Sequence, residues 1–169
     1  MTLLFGLALS ACASSGGGAG GPGGPGVTLP DIDGREVKLG AERDGELFVL
    51  IFWATWCQPC RSELAKLSTA YLDYEDRGLR LYAISIDGPG TVAQVPSWVR
   101  RERYSFPVLL DRETEVLGRY HPGGDIPFYV VLDGDGRVLE RHQGYVDGDV
   151  EALLRYLDAR LPIGQTGLR

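Results

Sequence analysis

The sequence predicts an α/β sandwich with a mixed central sheet, and three patterns carry the prediction. Residues 47–54 (LFVLIFWA) are an unbroken apolar run rich in large and β-branched side chains, as expected of a strand buried on both faces. From about Pro59, apolar residues recur at Leu64, Leu67, Tyr71 and Tyr74, which is helical spacing. Towards the C-terminal end, two strand-like stretches flank Asp133-Gly134-Asp135-Gly136 and lead into an amphipathic segment. Strands alternating with helices, then a hairpin and a closing helix, fit layers of helix packed on a sheet.

The remaining elements follow in chain order. Residues 91–104 read as a helix interrupted near Pro96. Residues 106–110 (FPVLL) read as a short strand or extended segment, and 114–120 as a short helix. Residues 128–132 (FYVVL) predict a buried strand and 137–143 its hairpin partner. Residues 149–161 predict an amphipathic helix with Val150, Leu153, Leu154 and Leu157 on one stripe. The D-x-D-G turn resembles the start of a calcium-binding loop, but Arg137 and Leu139 follow and no acidic residue closes it, so it reads as a hairpin turn. There is no internal repeat.

Composition narrows the function. The 169 residues allow one domain, and 44% hydrophobic content suffices for a core. With 17 basic and 23 acidic residues the net charge is −6. That balance argues against nucleic acid as a partner, because such binding rests on phosphate neutralisation. The densest basic patch, residues 99–103 (VRRER), reads as the solvated face of a helix.

Chemistry concentrates at Cys57-Gln58-Pro59-Cys60, directly behind Trp53-Ala54-Thr55-Trp56. The pair falls where the predicted strand gives way to the predicted helix. Unpaired backbone N–H groups put partial positive charge at a helix start. A thiol there ionises below its free pKa of about 8.5. Cys57 is thus expected to attack disulfides, and Cys60, about one turn in, to resolve the mixed disulfide. Pro59 is tolerated because first-turn N–H groups lack helical partners. Structural zinc usually needs four Cys or His ligands. One pair, a lone Cys12 and the unspaced His121 and His142 do not supply them, so no metal site is expected.

Residues 1–11 (MTLLFGLALSA) are apolar but too short to cross a bilayer, which takes about 20 residues. They fit the apolar region of a secretory signal. Leu9-Ser10-Ala11-Cys12 resembles the bacterial lipobox, which implies cleavage before Cys12 and lipidation of its sulfur. One departure is that no Lys or Arg precedes the apolar stretch. Residues 12–26, the lipidated cysteine with its glycine-rich sequence, contain nothing able to build a core and read as a flexible tether. The folded domain is expected at 27–162, with a tail at 163–169.

FWATWCQPC resembles the active-site motif of the thioredoxin superfamily, in particular the TlpA-type thiol–disulfide oxidoreductases tethered to bacterial membranes. The similarity extends over most of the chain. Leu29-Pro30-Asp31 with Asp33-Gly34 resembles the family's N-terminal strand pair. Residues 79–87 resemble its next central strand, Gly124-Asp125-Ile126-Pro127-Phe128 its cis-proline loop, and 133–144 its closing hairpin. The resemblance implies a thioredoxin-like three-layer sandwich with an added N-terminal strand pair. It implies a cis Pro127 beside the cysteines, with the Ile126 backbone and Trp56 meeting the incoming peptide. It also implies a monomer on the periplasmic side of the envelope that needs no cofactor. Its partners would be disulfide-containing clients, a membrane electron donor and, through Cys12, the membrane surface. Cytochrome c or metalloprotein assembly would supply the clients.

In thioredoxins an acidic residue six positions before the first cysteine handles the buried cysteine's proton; here that position is Ile51. Asp87, at the end of a central strand, is the leading substitute, and Asp125 the second. His121 is expected to be an exposed loop residue. Two rival functions also use a cysteine pair or a reactive cysteine. A copper metallochaperone could use Cys57, Cys60 and His121, although the two-residue spacing and Pro59 count against it. A peroxidase would need a P-x-x-x-T-x-x-C frame, in which Cys57 occupies the threonine position relative to Cys60.

Overall fold

The computed structural model describes residues 27–39 and 47–162. The expected signal peptide, Cys12, the tether and the 163–169 tail lie outside the described residues. A short antiparallel pair opens the fold, β1 (Thr28–Pro30) and β2 (Glu36–Lys38). The Asp31 carboxylate closes its turn by accepting the Asp33 and Arg35 amides, each at 2.8 Å. The chain continues through β3 (Leu47–Trp53), α1 (Gln58–Glu75), β4 (Leu79–Ser85), a 3₁₀ turn (Val92–Gln94), α2 (Val95–Glu102), β5 (Val108–Leu110) and α3 (Glu115–Tyr120). It closes with β6 (Phe128–Asp133), β7 (Val138–Gln143) and α4 (Asp149–Asp158).

The central sheet has the order β5-β4-β3-β6-β7. β3, β4 and β5 run parallel, whereas β6 is antiparallel to β3 and β7 to β6. β3 therefore lies in the middle, and all seven of its residues are buried. Its side chains alternate between two cores, as the strand period of two requires. Val49, Ile51 and Trp53 enter the core with α1, α2 and α4, which also holds Cys57 and Cys60. Phe48, Leu50 and Phe52 enter the core with α3, Leu29 and Leu39. This is the expected three-layer sandwich with a mixed sheet and an added strand pair.

Most element ends fall within two residues of the sequence reading, and the helices after β4 and after β7 differ in instructive ways. The break in the 91–104 segment falls before Val95, and Pro96 sits inside the first turn of α2, where its missing N–H is harmless. α2 ends at Glu102 because Arg103 turns left-handed (φ 55°). α4 stops at Asp158, short of the expected end at Leu161, although Leu161 still packs into the core. The Asp133 turn is as expected: its Oδ1 accepts the Asp135 and Arg137 amides at 2.9 and 2.8 Å.

Burial on α1 gives a direct check. Leu64 is fully buried, whereas Leu72 on the same helix is 57% exposed. Leu64→Ala is expected to cost about 2–5 kcal/mol in urea unfolding, and Leu72→Ala less than about 1 kcal/mol.

Candidate active site

β3 delivers the chain to the mouth of the sheet, and α1 begins after a four-residue connection. Cys57 is the N-cap of α1, with extended backbone (φ −87°, ψ 98°). Its Sγ accepts the Cys60 N–H at 3.3 Å, one of the amides that a helix start leaves unpaired. No acidic residue lies in the first turn to offset that positive end. Cys57 and Cys60 are joined as a disulfide. Cys57 keeps 5% of its surface exposed and Cys60 none, so an incoming group meets Cys57 first. Gln58 and Pro59 are exposed, as is Trp56 at 61%. Trp53, by contrast, is entirely in the core and meets Tyr104 edge-on.

The loop between β3 and α1 is held by a buried carboxylate. Asp87 lies just past β4 and is 1% exposed. Its Oδ2 accepts the Thr55 N–H at 2.8 Å and the Ser85 hydroxyl at 2.9 Å, and its Oδ1 accepts the Thr55 hydroxyl at 2.5 Å. The Asp87 amide donates back to Ser85 Oγ at 3.1 Å. Both oxygens of the leading proton-handling candidate are thus engaged in fixing the residue two places before Cys57. Asp125 is exposed, and the Gln143 amide reaches it at 3.4 Å.

A third carboxylate escaped the sequence reading. Glu63 is one turn beyond Cys60 on the buried face of α1, with Cys60, Leu64 and Leu67. It is 1% exposed, and its Oε2 has no hydrogen-bond partner among the described residues. Burial, reinforced by the nearby negative Asp149, pushes its pKa up to about 8. The signal was available: the stripe traced by Leu64, Leu67, Tyr71 and Tyr74 passes through position 63, where a carboxylate is unexpected.

The loop after α3 completes the site. The Ile126–Pro127 bond is cis. Phe128, the first residue of β6, pairs with Phe52, so buried Pro127 enters the sheet near the end of the strand leading to the cysteines. Ile126 packs against the core that contains Cys57 and Cys60. Gly124 supplies the left-handed turn (φ 75°) that leads into the loop. His121 is not the open loop residue expected: it is half-buried and stacks on Phe128, centroids 4.7 Å apart. Arg100 and Arg101, expected to be merely solvated, are exposed but engaged. Arg100 pairs with Asp33 at 2.7 Å, and Arg101 lies 4.1 Å over the Trp98 ring.

Fold, disulfide and helix start together define a thioredoxin-like protein. The AhpC/TSA family profile matches residues 22–141, and the chain belongs to that family. Among curated relatives, the thiol-disulfide oxidoreductase ResA of Bacillus cereus is 31% identical over 113 residues, covering 67% of this chain and 63% of that one. ResA of Geobacillus thermodenitrificans is 33% identical over 110 residues, covering 65% and 61%. The chain thus aligns with less than two thirds of the length of these relatives. Among solved structures, a Chlorobium tepidum protein assigned as thiol:disulfide interchange protein DsbE superposes with a TM-score of 0.71 at 27% identity, covering 83% of this chain and 96% of that one. A thioredoxin-like protein of Porphyromonas gingivalis gives 0.67 at 28%, covering 88% and 96%. The metallochaperone alternative finds no support in these relatives.

The raised pKa of Glu63 has a measurable consequence. The folded value, about 8, lies above the value of 4.5 for an unburied glutamate. Between those pH values the folded chain holds a proton that the unfolded chain has lost. Stability is therefore greatest below the lower value and falls as pH rises to the upper one. Glu63→Gln, which cannot ionise, should become more stable relative to the native protein across that window, by several kcal/mol at its upper end. Chemical unfolding of both proteins at a series of pH values checks this; a constant difference would contradict it.

The Thr55 clamp predicts a different signature. Asp87→Asn leaves an amide where three donors converge and should lower stability by about 1–3 kcal/mol. Chemical unfolding of Asp87→Asn beside the native protein at one pH checks this.

Proposed function

We propose that this protein is an envelope thiol–disulfide oxidoreductase that reduces disulfides of exported clients through Cys57 and Cys60. The observation that carries the reading is the division of environments within the pair. Cys57 is reachable and sits where a helix start stabilises a thiolate, whereas Cys60 is sealed on the same buried helix face as Glu63, whose proton affinity burial has raised. ResA-named relatives and the DsbE-assigned neighbour support it.

In the reduced enzyme the Cys57 thiolate attacks one sulfur of a client disulfide. A Cys57–client bond forms, and the other client sulfur leaves as a thiolate that takes up a proton. The Cys60 thiol passes its proton to Glu63 in the fraction of molecules in which that carboxyl is ionised, and attacks Cys57 Sγ. The Cys57–Cys60 bond forms, the Cys57–client bond breaks, and the second client thiolate leaves and is protonated. Two electrons have moved from the enzyme dithiol to the client disulfide. A dithiol donor on the membrane restores the enzyme by the same exchange run backwards. Burial lifts the Glu63 carboxyl out of the ordinary carboxylate range towards the range in which thiols titrate, which is what a proton acceptor for a thiol requires.

Around this chemistry, Trp56 offers an apolar contact to the client and the Ile126 backbone, before cis Pro127, pairs with its extended chain. Pro59 shapes the first turn, and Asp87 fixes the loop before Cys57. Lipidation of Cys12 would tether the domain, as a monomer, to the periplasmic face of a membrane, with cytochrome c or metalloprotein assembly as the source of clients.

The roles of the two cysteines separate cleanly. With a disulfide-bonded peptide, reduced Cys60→Ser should accumulate a mixed disulfide at Cys57, detectable by mass spectrometry. Cys57→Ser should accumulate none. Trapping by Cys57→Ser instead would overturn the assignment. Glu63→Gln should slow release of the second client thiol by roughly a hundredfold while leaving the first attack unchanged.

A further inference from the structure

Two arginines lie over one indole ring beside the active-site helix. The guanidinium carbon of Arg61 is 4.5 Å from the centre of the Trp98 ring, and that of Arg101 is 4.1 Å from it. Arg61 belongs to α1 and directly follows Cys60. Its N–H donates to the Cys57 carbonyl at 3.2 Å, so it stands one helical turn from Cys57. Trp98 and Arg101 belong to α2. The indole is fixed from beneath: its Nε1 donates to the Tyr104 hydroxyl at 3.3 Å, and Tyr104 stacks on Phe106 and meets buried Trp53 edge-on.

Charge on this platform is unbalanced. Arg101 donates through Nε to Glu102 at 3.1 Å, and neighbouring Arg100 is taken up by Asp33 at 2.7 Å. Arg61 has no carboxylate partner among the described residues, in a chain with 23 acidic and 17 basic residues. Nor does α1 gain from it, because a cation near a helix N-terminus opposes the helix dipole. Stacking occupies the flat face of a guanidinium and leaves its in-plane N–H groups free, in the fork that matches a carboxylate.

We infer that Arg61, stacked on Trp98 beside Arg101, is a specificity-determining residue that binds a client carboxylate: the preferred client carries Asp or Glu close to the cysteine that Cys57 attacks. The reading rests on Cys57 as the attacking sulfur, and the experiment separates the two. One helical turn is about 5.4 Å, and an extended peptide advances about 3.3 Å per residue. The carboxylate therefore belongs within about three residues of the client cysteine.

The test uses full-length, reduced Cys60→Ser protein, in which the first attack is read as accumulation of the Cys57 mixed disulfide. The substrates are two peptide homodimers, each joined by a single disulfide, with either Glu or Gln two residues after the cysteine. Each rate is divided by that of dithiothreitol on the same peptide, which removes the effect of the carboxylate on the disulfide itself. At about 0.1 M salt the screening length is about 10 Å, so a distant charge counts for little. The Glu peptide should react roughly three- to fivefold faster than the Gln peptide, against the net negative charge of the chain. Arg61→Gln should bring the ratio to about one, and Arg61→Glu should invert it. Arg61→Lys, which keeps the charge and loses the fork, should fall between Arg61→Gln and the native residue. Moving the glutamate about eight residues from the cysteine, beyond the reach of Arg61, should abolish the preference. A preference that survives that move, or an unchanged ratio in Arg61→Glu, would overturn the assignment. Equal slowing of both peptides by Arg61→Gln would also overturn it, because that marks a role in ionising Cys57. Failure of both peptides to form a Cys57 mixed disulfide would instead overturn the reading of Cys57.

Discussion

The contact between the Cys57 sulfur and the Cys60 amide organises the rest of the molecule. It turns an ordinary N-cap into a reactive centre, because the group that satisfies the helix is the group that does the chemistry. For the contact to persist, the strand before it and the helix after it must not move independently. β3 meets that need by lying in the centre of the sheet with every residue buried, and α1 by anchoring its stripe in the same core as the cysteines. The four residues between them are too few to be stable alone. Asp87 supplies what they lack, reaching from the adjacent parallel strand to hold both the amide and the hydroxyl of Thr55.

Two buried carboxylates stand near the cysteine pair, and their environments give them opposite characters. Asp87 receives three donors and functions as a structural acceptor. Glu63 has an oxygen with no partner among the described residues and a negative neighbour, so it holds its proton to about pH 8. A buried carboxyl without donors is expensive as an anion and therefore useful as a reversible proton site. The cysteines also differ in exposure: Cys57 keeps residual surface, whereas Cys60 is sealed on the buried helix face that carries Glu63.

Much of this was legible in the residues. The apolar run at 47–54 could be little other than a central strand, and the stripe from Leu64 to Tyr74 gave α1 and hence the helix-start position of Cys57. Cis Pro127 was legible only through resemblance, since an X-Pro bond is cis in about 5–6% of folded cases. Glu63 is not legible from apolar periodicity alone, because that pattern marks Leu64 and Leu67 and is silent about a polar residue on their face. The engagement of Asp87 could not be read, because Thr55 lies 32 residues away and meets it only once β3 and β4 pair. His121 was misjudged for a similar reason: its loop looks open in sequence, but folding brings its ring onto Phe128.

The most direct measurement is the pH dependence of iodoacetamide labelling of each cysteine in the reduced protein, followed by peptide mass spectrometry. Cys57 should ionise well below the free-thiol value of about 8.5 and label faster than Cys60 throughout. A Cys57 midpoint at or above that of a free thiol, or labelling no faster than Cys60, would contradict the account.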